Sequence, residues 1–216
     1  MTRFLDKFVL RYTSLSSTLD ILENKQLTLL NPNSWPDTND KYFIDLYCNN
    51  SKKIHALCFT QAPETYHHWT VFAPGNDGIC IQFNREILEK YINLSGLDIK
   101  YRNVNYAKIT EIDNDKFNFE DIPYLKRLGY RDELEWRIIY ICDKKNSEES
   151  TTFPIGLDAI NCIYINPKMP EKLSNNLKRI FRKITGIQYL KISSSTLINS
   201  QKWKVSGEKL FTRTNK

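Results

Sequence analysis

Apolar and polar positions follow two periodicities along this chain and divide it into short strands and short helices. Phe8 to Tyr12 (FVLRY) has the β-branched and aromatic content of a strand. Ser14 and Ser16 are N-cap candidates for a helix that carries Leu19, Ile21 and Leu22 and ends near Asn24. Leu27 to Leu30 reads as a second strand, and Asn31 to Asp40 (NPNSWPDTND) as a loop dense in Pro, Asn and Asp. A strand is predicted over Ile54 to Thr60. Pro63 then opens a helix that runs through Trp69 and Phe72 and closes at Pro74 and Gly75. Gly78 to Phe83 predicts a buried strand, Arg85 to Tyr91 a short helix, Tyr101 to Tyr106 a strand and Phe117 to Leu128 a helix. Leu134 to Cys142 (LEWRIIYIC) is the most β-prone run. Lys144 to Thr152 reads as a polar turn and Ile160 to Ile165 as a strand. Pro170 to Ile184 places Leu173, Leu177, Ile180, Phe181 and Ile184 at helical spacing. Gln188 to Ile192 is a closing strand, and the tail from Ser206 is expected to fray.

Strands and helices mix without a βαβ rhythm, an internal repeat or a linker. The expected class is therefore α+β, in a single domain over residues 1–216 that includes 168–216. The 216 residues are 41% hydrophobic and 12% aromatic, enough for a buried core and against disorder as the main state. No apolar run approaches the ~20 residues that span a bilayer. Arg3, Asp6 and Lys7 interrupt the first ten residues, so neither a membrane span nor a signal peptide is expected. Five cysteines (48, 58, 80, 142, 162), an odd number without a CxxC pair, point to reduced thiols and a cytoplasmic protein. The net charge of +6 is unevenly placed: Lys168 to Lys216 carries twelve Lys/Arg against two Glu, and the first 167 residues carry 19 against 23. A basic quarter on a mildly acidic body suits a polyanionic partner, or else a solvated helix and tail. Lys178, Arg179, Arg182 and Lys183 are the candidate nucleic-acid contacts.

Neither GxGxxG, GxxxxGK[ST] nor HExxH occurs, which removes the dinucleotide fingerprint, the P-loop and the zincin motif. Of the three histidines, 55, 67 and 68, the adjacent pair His67 and His68 cannot share one helical face and has no cysteine at ligand spacing, so structural roles and no metal are expected. The informative segment is Tyr130 to Arg137 (YRDELEWR). Glu133 and Glu135 stand two apart at a strand start and project from one face. Desolvation and like charge would raise one pKa there. Trp136 and Ile138 point the other way, into the core, and Arg131 or Arg137 compensates the carboxylates. The plainer reading is an exposed Glu pair on an edge strand, salt-bridged to those arginines. Arg11 and Tyr12 end the first strand and Thr60 ends another. Trp69 and Phe72 either wall a flat pocket or form a buried stripe. Asn39 and Asp40 either bind ribose hydroxyls or build Asx turns.

The order of the segments RYTSLSSTLDILENKQLTLLNPNSWPDTND, ALCFTQ, HHWTVFAPGNDGICIQF and YRDELEWRIIY resembles the DUF2971 family, as does the tail with PKMPEKLSNNLKRIF and YLKISSSTL. The resemblance spans nearly the whole chain. That family is similar in layout to ADP-ribosyltransferase folds. The resemblance implies a mixed, split β-sheet core with flanking helices, a basic residue on the first strand, and a later strand headed by Glu, often as ExE. It implies NAD+ as co-substrate, without a metal. Glu135 would steady the oxocarbenium ion through the ribose 2′-hydroxyl, and Glu133 would orient or deprotonate the acceptor. Arg11 would bind the phosphate or ribose side, Tyr12 and Trp69 would sandwich nicotinamide, and Thr60 would bond near the ribose. Phe72, Asn39 and Asp40 complete the candidate NAD+ set. Arg11-Tyr12-Thr13 departs from both the Arg-type and the His-type first motif, and the second motif has no Ser-Thr-Ser. Relatives in phage defence and toxin–antitoxin systems imply a toxin or defence effector, with an antitoxin or chaperone as partner and no membrane. The basic quarter tilts the acceptor toward RNA or DNA. The alternatives are a protein-directed transferase, a non-catalytic nucleic-acid-binding module with a degenerate pocket, and a metal-dependent nuclease using Asp40, Glu133 and Glu135.

Overall fold

The structure, a computed structural model, describes residues 7–49, 51–112, 116–145, 148–184 and 190–214, without the side chains of 34, 213 and 214. In chain order these form β1 (Phe8–Ser14), α1 (Leu15–Asn24), β2 (Gln26–Leu30), α2 (Thr38–Cys48), β3 (Lys52–Thr60) and α3 (Tyr66–Phe72). Then come β4 (Gly78–Asn84), α4 (Arg85–Leu94), β5 (Ile99–Asn103), β6 (Asn105–Ala107), α5 (Ile109–Ile112) and β7 (Leu125–Arg127). The chain continues through β8 (Glu135–Asp143), β9 (Ser150–Pro154), β10 (Ile160–Ile165), α6 (Glu171–Lys183), β11 (Lys191–Ser194) and α7 (Gln201–Thr214). Side-chain caps start the helices: Ser14 accepts from the Ser17 amide, Thr65 from His68 and Asn84 from Ile87, and Asp37 accepts from Asn39 and Asp40.

The class is α+β. Nine strands of the described residues pair in one mixed sheet, ordered β11-β10-β4-β1-β3-β2-β9, with β8 on β3 and β5 on β8. β10 and β11 are parallel, and the other pairs in this sheet are antiparallel. The sheet divides at β3. One edge of β3 pairs with β8 along its whole length, from Lys52↔Asp143 to Thr60↔Glu135. The other edge meets β1 only at Leu10↔Thr60 and β2 only at Leu30↔Ala56. Cys58 lies between these two contacts, and the Arg11 guanidinium fills the gap by donating to its carbonyl at 2.9 Å. A side chain thus replaces a missing rung of the ladder.

Alternation along the strands sorts the core. Val9, Leu57, Phe59, Ile81, Trp136 and Ile138 face one side, where α1, α4 and α6 bury Leu22, Leu88 and Phe181. The opposite side carries two separate apolar patches. Leu10, Tyr12 and Cys80 pack with Trp69 of α3, and Ile54, Ala56 and Ile139 pack with Ile44 and Tyr47 of α2. The ground between the patches is polar.

Four expectations change. The loop expected over Asn31 to Asp40 stops short: a helix, α2, begins at Thr38, and Ile44, Tyr47 and Cys48 supply its buried face. The helix expected over Phe117 to Leu128 is a 3-10 turn, Phe119–Tyr124, containing Pro123, followed by β7; proline removes a helical donor there. The polar turn over Lys144 to Thr152 ends in β9, which pairs with β2 from Ser150↔Leu30 to Pro154↔Gln26. The tail expected to fray forms α7, with Trp203 exposed. Of the closing strand, residues 188 and 189 lie outside the described residues, and β11 follows at Lys191–Ser194. Among the described residues no helix is long and apolar enough to cross a membrane.

Candidate active site

Between the two patches, at the fork of β1 and β3, lies a cavity of about 550 Å³. Leu10, Arg11 and Tyr12 of β1, Cys58 and Thr60 of β3, and Glu135 and Arg137 of β8 form its floor. Trp35, Asp37 and Asp40 wall it on one side, Val71 and Phe72 at the end of α3 on another, and Lys126, Tyr130 and Glu133 close the third.

The two predicted carboxylates do converge, by a different route from strand alternation. Glu133 ends a 3-10 turn, Leu128–Glu133, and Leu134 follows in the left-handed region at φ 43°, ψ 51° before β8 begins at Glu135. That conformation costs a leucine roughly 1–2 kcal/mol. Hydrogen bonds hold it there: the Leu134 carbonyl accepts from the Gln61 amide at 2.9 Å, and the Leu134 amide donates to the Arg131 carbonyl at 3.2 Å. The Thr60 hydroxyl donates to the Glu133 carbonyl, and the Glu135 amide donates to the Tyr106 hydroxyl at 2.8 Å.

Arg137, fully buried, holds the centre. Its Nε donates to Glu135 Oε1 at 2.7 Å and its Nη2 to Glu135 Oε2 at 3.1 Å. Nη1 and Nη2 also grip Asp40 at 2.8 and 2.7 Å, and Nη1 donates to the Pro123 carbonyl at 2.8 Å. The Trp35 ring lies 4.8 Å from the guanidinium. Lys126 Nζ reaches Glu133 Oε2 at 2.6 Å and Glu135 Oε2 at 3.3 Å, with Asp40 at 4.0 Å. With all groups ionised, three carboxylates against two cations leave one net negative charge on this wall.

Burial and pairing split the two glutamates. Burial alone would raise the Glu135 carboxyl, but Arg137 and Lys126 beside it bring it down to about 2. Glu133 has no arginine, and burial outweighs Lys126 to push its carboxyl upward. Burial also pushes Asp40 upward against the pull of Arg137. The Cys58 thiol is driven far up, first by burial and then by Glu135, so it is no thiolate nucleophile.

The remaining expected residues separate. Arg11 lines the cavity, and its guanidinium has no carboxylate partner among the described residues; its one side-chain hydrogen bond goes to the Cys58 carbonyl. Tyr12 lines it too, stacked on His68 at 5.4 Å, and His68 in turn stacks on Phe72 at 5.8 Å. Trp69 does not reach the cavity: it packs edge-on behind Tyr12 at 5.0 Å and donates its indole N–H to Glu64 at 2.7 Å. Thr60 lines the cavity, but its hydroxyl donates to the Glu133 carbonyl and accepts from the Ala62 amide at 2.9 Å, a positioning role. Asn39 faces solvent and bonds Asp37, and both Asp40 oxygens are taken by Arg137. The compensating arginine is Arg137, whereas Arg131 pairs with Asp132 at the surface. Lys178, Arg179, Arg182 and Lys183 lie on α6, outside the cavity lining.

Sequence reasoning missed Trp35, Asp37, Lys126 and Tyr130. An aromatic between polar loop residues was a usable signal for Trp35; nothing local marks Lys126. Asp37 Oδ2 is buried with no hydrogen-bond partner among the described residues, which leaves an acceptor at the cavity. The same residues form no cluster of three or more His, Cys, Asp or Glu able to hold a metal, and Arg137 and Lys126 occupy the carboxylates of the nuclease reading.

No family model and no curated protein matches this chain. Among solved structures it is similar to Thermus sp. 2.9 DarT in complex with ADP-ribosylated ssDNA, at 11% identity over 88% of this chain and 94% of that chain, with a TM-score of 0.47. DarT in complex with NAD+ and with carba-NAD+ each align at 9% identity over 88% of this chain and 96% of that chain, with a TM-score of 0.45. Likenesses this distant carry no argument about the site, which stands on its own geometry.

Proposed function

We propose that the chain is a single ADP-ribosyltransferase-like domain of DUF2971 type that cleaves NAD+ in this cavity and transfers ADP-ribose to a nucleic acid. One observation carries the reading: a single cleft is lined by a carboxylate held ionised and by a guanidinium without a carboxylate partner among the described residues. Aromatic side chains line the same cleft. Its volume of about 550 Å³ falls in the range of clefts that bury a cofactor-sized ligand.

Cleavage breaks the bond from ribose to nicotinamide, which leaves neutral with the bonding electrons. The sugar is left with oxocarbenium character, as in glycoside cleavage. Glu135 supplies fixed negative charge at that centre, with no proton to lose first. The ion-pair network, Glu135 included, keeps one net negative charge when ionised, so Arg137 orients the carboxylate without neutralising the site. Glu133, with its raised pKa, accepts the proton from the incoming nucleophile. Arg11 forks onto the pyrophosphate. Tyr12, Phe72, Trp35 and Tyr130 offer faces to the flat rings. Asp37 Oδ2 accepts from a ribose hydroxyl, the role expected of Asn39 and Asp40.

The excess of Lys and Arg in residues 168–216 favours RNA or DNA as acceptor over protein. A transferase of this kind acts as a toxin or defence effector, held in check by a neutralising partner. The test is incubation with labelled NAD+ and separate pools of RNA, DNA and cell protein. Label on nucleic acid with release of nicotinamide is the expected result. Nicotinamide release with label only on protein would retain the chemistry and reject the acceptor. Nucleic-acid binding without any NAD+ turnover would favour the degenerate-pocket alternative.

A further inference from the structure

Among the described side chains of α7 none is buried. A helix of about this length is marginal in water on its own, and helices of globular folds ordinarily bury an apolar stripe. In α7 Trp203 is instead 81% exposed, and Leu210 and Phe211 are exposed two turns further on, an apolar surface of the kind that marks an interaction site. Ser200 fixes the first turn: its hydroxyl accepts from the Trp203 amide at 3.3 Å and its carbonyl from the Lys204 amide at 3.1 Å. At about 100° per residue, Lys202 and Lys209 fall on one flank of Trp203 and Lys204 on the other, and Glu208, the one acidic residue of α7, lies on the far side. Lys204 Nζ donates to Asn199 Oδ1 at 2.7 Å, which steadies it beside the ring. Gly207, one turn beyond Trp203 on the same face, leaves open space, with nothing within 4 Å of where a Cβ would stand.

Register sets the origin of α7 near the cleft. β11 ends at Ser194, in one row with Ile165 of β10, Ile79 of β4 and Thr13 of β1. Thr13 follows Arg11 and Tyr12 of the cleft floor, and three strand spacings, about 14 Å, separate it from Ser194. At the same end of the sheet Asn166 donates to the Ala73 carbonyl at 3.2 Å, beside Phe72 of the cleft wall.

We propose that α7 is a docking surface for one strand of nucleic acid, with a base stacked on Trp203 and phosphates on Lys202, Lys204 and Lys209. The proposal rests on the transferase reading and names where its acceptor is held. Charge decides the partner's sign: the ring is flanked by cations on both sides and the single carboxylate is turned away. Exposed base faces belong to single strands, where they stack on aromatic side chains beside a basic track. A helix laid into a protein groove or along a bilayer presents apolar anchors at i, i+3 or i+4, and i+7. Counted from Trp203, the middle positions are Ser206 and Gly207, so that stripe is broken.

The test is anisotropy of labelled single-stranded DNA and RNA, and of a duplex, with the full chain. Wild type is compared with Trp203→Ala, Trp203→Phe and the triple alanine variant at Lys202, Lys204 and Lys209. Wild type should bind single strands more tightly than the duplex. Trp203→Ala should bind single strands roughly tenfold more weakly, the size of one lost stacked base, with the duplex little affected, and Trp203→Phe should restore most of the loss. The lysine variant should flatten the dependence of log affinity on log salt by up to about 2. The replaced side chains are exposed, so circular dichroism and melting temperature should match wild type. Single-strand binding by Trp203→Ala within about twofold of wild type, or equal losses on single strand and duplex, overturns the proposal. So does a wild type that binds no strand but sediments with phosphatidylserine vesicles, or one that passes label from NAD+ only to protein. Trp203-dependent strand binding with no nicotinamide release from NAD+ would uphold this surface and reject the transferase reading instead.

Discussion

Replacing Glu135 by glutamine tests the site most directly, because the change has two separable effects. The first is on stability. In the folded protein the Glu135 carboxyl sits at about 2, against 4.5 for an ordinary glutamate. That gap corresponds to about 3 kcal/mol. A depressed carboxylate pKa stabilises the fold above its unfolded value and loses that contribution as pH falls through its folded value. The contribution is therefore whole above about pH 4.5 and gone near pH 2. At 1 kcal/mol for roughly 2–4 °C in a chain of this size, the glutamine variant should melt about 6–12 °C below wild type at pH 7. The difference should shrink as both are titrated toward pH 3. The second effect is on chemistry: at 25 °C, with the variant folded by circular dichroism, nicotinamide release should fall by roughly 10²-fold or more. Thermal melts across pH and initial rates with NAD+ measure both. Wild-type activity in the variant would remove Glu135 from the mechanism, and a melting gap that ignores pH would refute the ion-pair argument.

Lys126→Met takes away the cation beside Glu133, whose carboxyl should rise further; the acid limb of the pH–rate profile then moves to higher pH. Arg11→Met removes a charge-assisted contact and should raise KM for NAD+ by about tenfold or more with a smaller change in kcat, read from initial rates. Alanine at Lys178, Arg179, Arg182 and Lys183 together should flatten the dependence of log affinity for single strands on log salt by up to about 3 if each meets a phosphate. An unchanged slope would put the polyanion contacts elsewhere than α6.

Most of the sheet was legible because its strands are short apolar runs with clear punctuation. Leu134 to Cys142 needed only β-branched density, and Phe8 to Tyr12 only its aromatic ends. Helix α2 was not legible: Asn, Asp and Lys open it, and its buried face depends on Ile44 meeting β3. At the site, Glu133 and Glu135 were found through their spacing, although the left-handed turn at Leu134 rather than a straight strand brings them together. Trp69 and Phe72 looked equivalent on a helical wheel; only the packing of α3 on β1 decides that Phe72 meets the cavity and Trp69 backs Tyr12. Asp40 and Arg137 are 97 residues apart, and a pairing over that distance leaves no local trace. The same holds for Lys126, whose neighbours Asp40 and Glu135 come from different elements.

The division of roles between the glutamates follows from where the sheet splits. A continuous ladder between β1 and β3 would leave no opening at Cys58, and Arg11 would have no carbonyl to cap. With the ladder interrupted, polar side chains of β3 and β8 face a space that neither α2 nor α3 covers. Arg137, fixed within β8, binds Asp40 and Glu135 but not Glu133, which the Leu134 turn carries toward Lys126 instead. One carboxylate is thereby held ionised by a delocalised cation that cannot be deprotonated, and the other is paired with a single ammonium and stays free to titrate. A reaction that needs steady negative charge at one atom and a proton acceptor at another requires that inequality. Making the pair equal, by Lys126→Arg for example, should lower the pKa of Glu133 and weaken it as a base. The variant would then extend activity to lower pH while lowering the plateau rate, and a profile identical to wild type would show that Glu133 takes no proton in the rate-limiting step.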